Sequence, residues 1–211
     1  MLTVHHLGVS QSERIVWLCE ELDLQYELKR YERRADNRLA PDAYKALHPM
    51  GVAPVITDGA LVLAESGAIC EYINIRYGGG RLSLAPADPD FPEHLFWFHW
   101  ANGTYGAASL AGLALTLAGK GPADVPLIKD RLERCRAMIE RRLGEAPFFG
   151  GRNLSLADIL MVWSLTTART FRGGRLDDLP NTRSYLERIG GRPAYRQAMA
   201  KAEPGMAPLL A

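Results

Sequence analysis

The stretch from residue 48 to residue 73 constrains the fold of this chain most, because a proline-led turn, a hairpin and a helix start follow one another within it. Two short apolar runs flank Asp58-Gly59, a pair that accepts the positive φ of a tight β-hairpin. Pro54 stands at the start of the first run, where its missing N–H breaks the fewest ladder bonds. Since X–Pro bonds alone make the cis form cheap, the bond before Pro54 is a candidate for a cis peptide.

The rest of the chain divides into a part with strand patterns and a part without them. Residues 2–7 and 25–31 have the pattern of strands, on either side of a helix whose apolar face lies within 15–22. Strands and helices in this order favour a mixed sheet with helices on its faces. Beyond three consecutive glycines and a proline-rich segment, only helical patterns remain. We expect an α/β domain at residues 1–79, a linker at 80–90 and an all-helical domain at 91–211.

Composition and charge exclude several classes of function. The 211 residues are 47% hydrophobic and 23% charged, as is ordinary for a globular protein. The net charge of +1 does not indicate a basic surface for binding nucleic acid. The three cysteines are far apart and form no Cys-x-x-Cys motif, so we expect neither a disulfide scaffold nor a zinc site. The N-terminus lacks a signal-peptide core, and no run of about 18 apolar residues indicates a membrane span. We therefore expect a cytoplasmic protein with no metal and no nucleic-acid or membrane partner.

A resemblance to a known family rests on the same stretch. The sequence Pro-Met-Gly-Val-Ala-Pro-Val-Ile, the Asp-Gly turn and the run Glu-Ser-Gly-Ala-Ile-Cys-Glu-Tyr-Ile resemble the glutathione-binding half of a cytosolic glutathione transferase. The resemblance covers essentially the whole chain and implies a thioredoxin-like N-terminal domain, an all-helical C-terminal domain and a homodimer. It also implies that Ala53, before a cis Pro54, offers its backbone to the cysteinyl part of glutathione. Glu65 and Ser66 would hold the γ-glutamyl end, with the serine at a helix N-terminus that binds carboxylates.

Ser10 is the candidate catalytic residue. It lies between the first strand and the first helix, in the sequence Gly-Val-Ser-Gln-Ser-Glu-Arg. A free cysteine thiol has a pKa of roughly 8.5, and both a donated hydroxyl proton and a helix N-terminus favour its thiolate. The resemblance implies that Ser10 stabilises the glutathione thiolate, as the corresponding serine does in serine-type members of the family. The sequence up to Arg14 resembles the Ser-x-x-x-Arg spacing of those members, and this resemblance favours Ser10 over Ser12.

The loop around Ser10 also allows other interpretations. Ser10-x-x-Glu13 is a capping box, so the serine could cap the helix with or without a catalytic role. No cysteine lies between His5 and Arg14, which disfavours a cysteine-type or glutaredoxin-like thiol exchange. Tyrosine-type members carry a tyrosine at the end of the first strand, where this chain has His5 and His6. Adjacent strand residues point to opposite faces, so at most one histidine could face the site, and we expect strand-end packing for both. We expect Arg14 to be a solvated helix charge rather than a ligand.

Structural explanations also apply at two other helix starts. Ser66 would serve as a simple N-cap, and Glu65 as an acid that the helix dipole favours. Ser155-x-x-Asp158 precedes an apolar helix expected over 156–171, and it predicts a capping box with a role in folding.

The chain is predicted to be an enzyme that conjugates the glutathione thiolate to a small hydrophobic electrophile. The second substrate would lie between the domains, where Tyr105 is a candidate because the polar run 102–104 beside it breaks the core periodicity. The alternatives are another glutathione-dependent reaction, such as peroxide reduction, isomerisation or dehalogenation, or a non-catalytic binding protein with the same fold. The predicted site residues are Ser10 for catalysis, Ala53, Pro54, Glu65 and Ser66 for glutathione, and Tyr105 for the second substrate.

Overall fold

The structure, a computed structural model, describes residues 1–211 apart from the side chain of Arg172. The chain forms two compact units, and the first joins Met1–Ser83 to Ile189–Leu209. The second unit consists of Leu84–Arg188 with Leu210–Ala211. Residues 189–209 therefore belong to the unit that holds the sheet, while the domain limits at 79 and 91 stay a prediction.

A four-stranded mixed sheet forms the centre of the first unit. Its strands lie in the order β2-β1-β3-β4, with β1 and β2 parallel and the other two pairs antiparallel. All six residues of β1 are buried, as expected for a central strand that is covered on both faces. The strands are β1 (Leu2–Leu7), β2 (Glu27–Tyr31), β3 (Val55–Asp58) and β4 (Leu61–Ala64).

The predicted hairpin joins β3 to β4. Asp58 pairs with Leu61, so Gly59 and the next residue form a two-residue loop in which Gly59 has φ of 59°. The bond between Ala53 and Pro54, directly before β3, is cis. Both features confirm what the sequence predicts for this stretch.

Helices cover the sheet. The helix α1 packs against α3 and α10, and it buries an apolar face that includes Trp17. The ring of Trp17 meets Tyr195 of α10 edge to face at 5.2 Å between centroids. Arg192, just before α10, binds the Glu21 carboxylate with two hydrogen bonds of 2.6 and 2.7 Å. The helices are α1 (Glu13–Glu21), α2 (Asp42–Lys45), α3 (Ser66–Arg76) and α10 (Pro193–Ala202).

The secondary structure of the second unit is helical apart from loops and one isolated β-bridge between Phe148 and Gly151, which completes the predicted fold class of an α/β domain followed by an all-helical one. One turn of π-helix, Ala101–Gly106, joins its first two helices, and a short 3-10 turn, Pro122–Asp124, precedes the third. One of the points where the chain passes from one unit to the other, between residues 188 and 189, falls within α9. The α-helices are α4 (Phe91–Trp100), α5 (Ala107–Leu117), α6 (Pro126–Glu145), α7 (Leu156–Leu165), α8 (Arg169–Arg172) and α9 (Pro180–Gly191).

The buried central helix α7 begins as predicted but is shorter than predicted. Ser155 accepts a hydrogen bond from the N–H of Ala157, while Asp158 accepts one from the N–H of Ser155 at 2.9 Å, so the capping box is confirmed. The expected helix over 156–171 is interrupted at Thr166, whose φ of −118° and ψ of −101° are not helical. The Thr166 hydroxyl also bonds back to the Val162 carbonyl at 2.8 Å, a bond that tends to bend helices.

Candidate active site

The loop between β1 and α1 is held in a strained conformation. Val9 has φ of 51°, which is a genuine outlier for a β-branched residue. Arg33 donates from Nε to the Gly8 carbonyl at 2.8 Å and from Nη2 to the Val9 carbonyl at 3.1 Å. The N–H of Val9 donates to the Glu203 carboxylate. Strain of this kind persists only where the surroundings over-determine it, and here the peptide groups on both sides of Val9 are bound.

Ser10 follows this strained residue and is only 3% exposed. Its Oγ accepts a hydrogen bond from the N–H of Ser12 at 3.2 Å and lies 2.7 Å from the Ser12 Oγ. The N–H of Glu13 bonds instead to the main-chain oxygen of Ser10 at 3.2 Å. The Ser10 hydroxyl therefore accepts a backbone N–H at the start of α1, as a capping residue does, and its contact with Ser12 Oγ extends into a larger network.

That network continues from Ser12 to His6 and Glu203. The Ser12 Oγ accepts from the N–H of Leu7 at 3.0 Å and lies 2.9 Å from Nδ1 of His6. The other ring nitrogen of His6, Nε2, lies 3.0 Å from the Glu203 carboxylate. His6 and Ser12 are fully buried and Glu203 is 7% exposed, so this network lies inside the first unit. His6 is buried at the strand end as expected, and both of its ring nitrogens are also hydrogen-bonded.

His5 points to the other face of β1, as strand alternation requires. Its Nδ1 lies 3.1 Å from the Tyr31 hydroxyl and its Nε2 lies 3.2 Å from Thr57 Oγ1. Burial lowers the pKa of His5, and the nearby charge of Lys29 adds to that effect. Only His6 of the two histidines therefore belongs to the Ser10 network.

The start of α3 holds the two predicted γ-glutamyl ligands. Glu65 is exposed and has φ of 70°, again in the region that L residues rarely adopt. Ser66, the first residue of α3, is 3% exposed and its Oγ accepts from Nη1 of Arg14 at 3.3 Å. Arg14 is itself 2% exposed, so the expectation of a solvated helix charge is wrong. It joins the helix that follows Ser10 to the helix that starts at Ser66.

Ala53 and Pro54 directly precede β3 and lie beside the end of β1. Val55, the next residue, pairs with His5 of β1, which leads into the Ser10 loop. Pro54 is buried and Ala53 is half-buried. The first unit therefore gathers every predicted glutathione ligand and Ser10 around the end of β1 and the starts of α1 and α3.

Tyr105 lies in the second unit, in the π-helical turn. Its ring stacks on Trp100 at 5.4 Å between centroids and 14° between planes. It also lines a cavity of about 320 Å³ that lies within the helical unit. Most of the lining is apolar and includes Leu113, Leu132, Ile139, Leu165, Leu176 and Leu179.

The described part of the chain gives little support for a reactive cysteine, a metal site or a membrane span. All three cysteines are buried, and burial raises the pKa of each thiol, that of Cys70 to about 12. Among the described residues, no three His, Cys, Asp or Glu side chains come together as metal ligands would. Nor does any described helix combine the length and apolar character needed to cross a bilayer.

Comparison with known proteins gives consistent matches along the chain. A family model for the N-terminal domain of glutathione S-transferases matches residues 2–74, and one for the C-terminal domain matches residues 113–193. Glutathione S-transferase 3 of Schizosaccharomyces pombe is 30% identical, over 96% of this chain and 88% of the relative. The disulfide-bond oxidoreductase YfcG of Escherichia coli is 27% identical, over 97% of each chain. A solved glutathione S-transferase from Actinobacillus pleuropneumoniae is 32% identical, covers 96% of this chain and 93% of that one, and has a TM-score of 0.87.

Proposed function

The chain belongs to the glutathione S-transferase family, and we propose that it holds the thiol of glutathione as a thiolate at Ser10 and adds it to small hydrophobic electrophiles. The observation that carries this proposal is the environment of Ser10. Its hydroxyl lies just before α1, in a buried hydrogen-bond network. A hydroxyl proton and the partial positive charge of a helix N-terminus both stabilise a sulfur anion.

The proposed glutathione ligands are Ala53, Pro54, Glu65 and Ser66. The free N–H groups at the start of α3 suit the α-carboxylate of the γ-glutamyl end, and the adjacent Arg14 guanidinium adds positive charge there. Glu65 is exposed, which leaves its carboxylate accessible to the γ-glutamyl ammonium group. The backbone of Ala53, next to the cis bond, is proposed to pair with the cysteinyl part, as the family resemblance implies.

For the second substrate we propose Tyr105 as a binding residue. The ring lines an apolar cavity of about 320 Å³, within the range of small-molecule sites. An apolar electrophile would gain the free energy of leaving water on entering such a lining. The proposal further includes a cytoplasmic location, a homodimer, and domains at 1–79 and 91–211, which rest on composition and the family resemblance.

A second candidate function is glutathione-dependent reduction of disulfides, which the similarity to YfcG favours. A bound glutathione thiolate can attack a disulfide sulfur as well as a carbon electrophile. The buried cysteines of this chain are poor nucleophiles, so the attacking sulfur would be that of glutathione. Peroxide reduction, isomerisation, dehalogenation and non-catalytic binding are the remaining alternatives.

One set of measurements on the purified chain tests these candidates. We expect retention on immobilised glutathione and turnover of aromatic electrophiles in a panel that also contains disulfides and peroxides. Ser10→Ala is expected to lower kcat about 100-fold, the usual effect of removing one donor to a developing anion. Ser184→Ala, at an exposed serine of α9, is the matched control and should leave kcat unchanged.

The outcomes separate the candidates. Full activity in Ser10→Ala would contradict the assigned role of the hydroxyl. Turnover of disulfides alone would favour the second candidate, and retention without any turnover would favour a binding protein. Failure to bind glutathione at all would refute the proposed function.

A further inference from the structure

Four buried side chains in the first unit form one continuous hydrogen-bond chain that ends at Ser10. The Ser10 and Ser12 hydroxyls are 2.7 Å apart, and Ser12 Oγ lies 2.9 Å from His6 Nδ1. His6 Nε2 lies 3.0 Å from Glu203 Oε1. The members come from β1, from the loop before α1 and from the residue that follows α10. Each contact is short enough to carry a proton from one heavy atom to the next.

The direction of the protons depends on the charge of His6. When the imidazole is neutral, its Nε2–H donates to the Glu203 carboxylate and its Nδ1 accepts from the Ser12 hydroxyl. Ser12 then accepts from the Leu7 N–H and from the Ser10 hydroxyl. Ser10 keeps one lone pair, besides the one that receives the Ser12 N–H, and this lone pair can accept a thiol S–H.

When the imidazole is protonated, the same atoms form the reversed chain. His6 Nδ1–H donates to Ser12, Ser12 donates to Ser10, and the Ser10 proton is free to point at a sulfur anion. The Leu7 and Ser12 N–H groups keep their acceptors in both arrangements. A competing direction, from Ser12 to the Leu7 carbonyl, is the longest of these contacts at 3.4 Å.

We propose that the His6–Glu203 pair sets the direction of these hydroxyl protons and takes up the proton that the glutathione thiol loses at Ser10. The S–H bond breaks and its proton goes to Ser10; the Ser10 proton moves to Ser12, and the Ser12 proton forms the new N–H bond at His6 Nδ1. The products are a thiolate that accepts a hydrogen bond from Ser10 and an imidazolium beside a carboxylate. This inference rests on the proposed function, and it makes His6 and Glu203 positioning residues that act through the two serines.

The charges around His6 suit this role. The Glu203 carboxylate compensates the buried imidazolium, which would otherwise be costly away from water. Glu203 in turn accepts the Val9 N–H and interacts electrostatically with Arg33, which binds the Gly8 and Val9 carbonyls. The group that balances the charge therefore also holds the backbone that carries Ser10.

The test is the pKa of the thiol of bound glutathione, followed by the ultraviolet absorbance of the thiolate as the pH is raised. Glu203→Gln removes the negative charge while its amide oxygen still accepts from His6 and Val9. His6→Gln removes the base. We expect both variants to raise the thiol pKa by about one, which corresponds to about tenfold less thiolate, while the dissociation constant for glutathione changes less than about twofold. His5→Gln, on the opposite face of β1, is the matched control and should change neither quantity.

The outcomes distinguish this inference from the proposed function. If Ser10→Ala raises the thiol pKa and Glu203→Gln leaves it unchanged with glutathione bound, the role of the His6–Glu203 pair is refuted and the role of Ser10 stands. If the wild-type chain does not bind glutathione, or does not lower its thiol pKa, both fail. Should His6→Gln not fold, as judged by circular dichroism, Glu203→Gln decides the question alone.

Discussion

We expect Asp158→Asn to destabilise the chain more at about pH 4 than at about pH 7. The Asp158 carboxyl is fully buried. It accepts hydrogen bonds from the Phe149 N–H at 2.8 Å, the Ser155 N–H at 2.9 Å and the Tyr185 hydroxyl at 3.0 Å. Burial raises its pKa to about 6, although these hydrogen bonds oppose the rise. The variant removes the titrating group and keeps the side-chain shape.

The sign and size of the effect follow from the two pKa values. In the unfolded chain the carboxyl has the ordinary pKa of 3.8, so between 3.8 and about 6 the folded state of Asp158 binds more protons than the unfolded state. Its contribution to stability is therefore fully present below pH 3.8 and is lost as the pH rises through about 6. A difference of about two pKa units corresponds to about 3 kcal/mol. The Tyr185 and Ser155 hydroxyls can rotate to accept the acid proton.

The measurement is the free energy of unfolding of both proteins in urea at a series of pH values. Subtracting the two curves removes the contribution of all other groups, and the remaining difference should shrink by about 3 kcal/mol from acid to neutral pH. Asp130→Asn, at an exposed position of α6, is the matched control and should give parallel curves. Parallel curves for Asp158→Asn itself, within about 1 kcal/mol, would refute the assignment of a raised pKa.

Two further predictions concern the first unit. Glu65→Gly is expected to weaken glutathione binding while the free energy of unfolding stays level or rises by about 1 kcal/mol, because glycine relieves the positive φ at this position. Glu71→Gln, at an exposed position of α3, is the control and should change neither quantity. Normal glutathione binding by Glu65→Gly would contradict the ligand role of Glu65. Burial raises the thiol pKa of Cys70 to about 12 and also protects Cys19, so a maleimide should label both slowly in the native chain and quickly in urea. Fast native labelling would contradict the buried placement of these thiols.

Local patterns were sufficient to predict an α/β part followed by a helical part, whereas the thioredoxin-like fold was implied by the family resemblance. The apolar run of β1 and the Asp58-Gly59 turn each specify their own geometry, and both lie where the sequence predicts them. The interruption of the helix at Thr166 was missed because the flanking residues are apolar on nearly all sides. Hydrophobic periodicity reports burial, and it carries no information on the non-helical φ and ψ of Thr166 or on its hydroxyl, which bonds back to the preceding turn.

The candidate site depends on contacts between residues far apart in sequence, which no local pattern reports. Arg14 was expected in solvent because its own helix gives no reason for burial; the start of α3, 52 positions away, covers it and offers Ser66 as a partner. Strand alternation correctly separates His5 from His6, but it cannot say which of them finds hydrogen-bond partners. One of the two partners of His6 is 197 positions away, after the last helix, where a glutamate in a Pro-rich tail has no distinguishing signal.

The position of Glu203 also bears on what constitutes the functional unit. The hydrogen-bond chain that ends at Ser10 starts at a residue in the last ten positions of the sequence. Because α10 packs against α1 and Arg192 binds Glu21, the helix that Glu203 directly follows also supports the helix after Ser10. The shortest stretch of sequence that contains the whole network therefore runs from β1 to the C-terminal tail, although its atoms all lie in one compact unit.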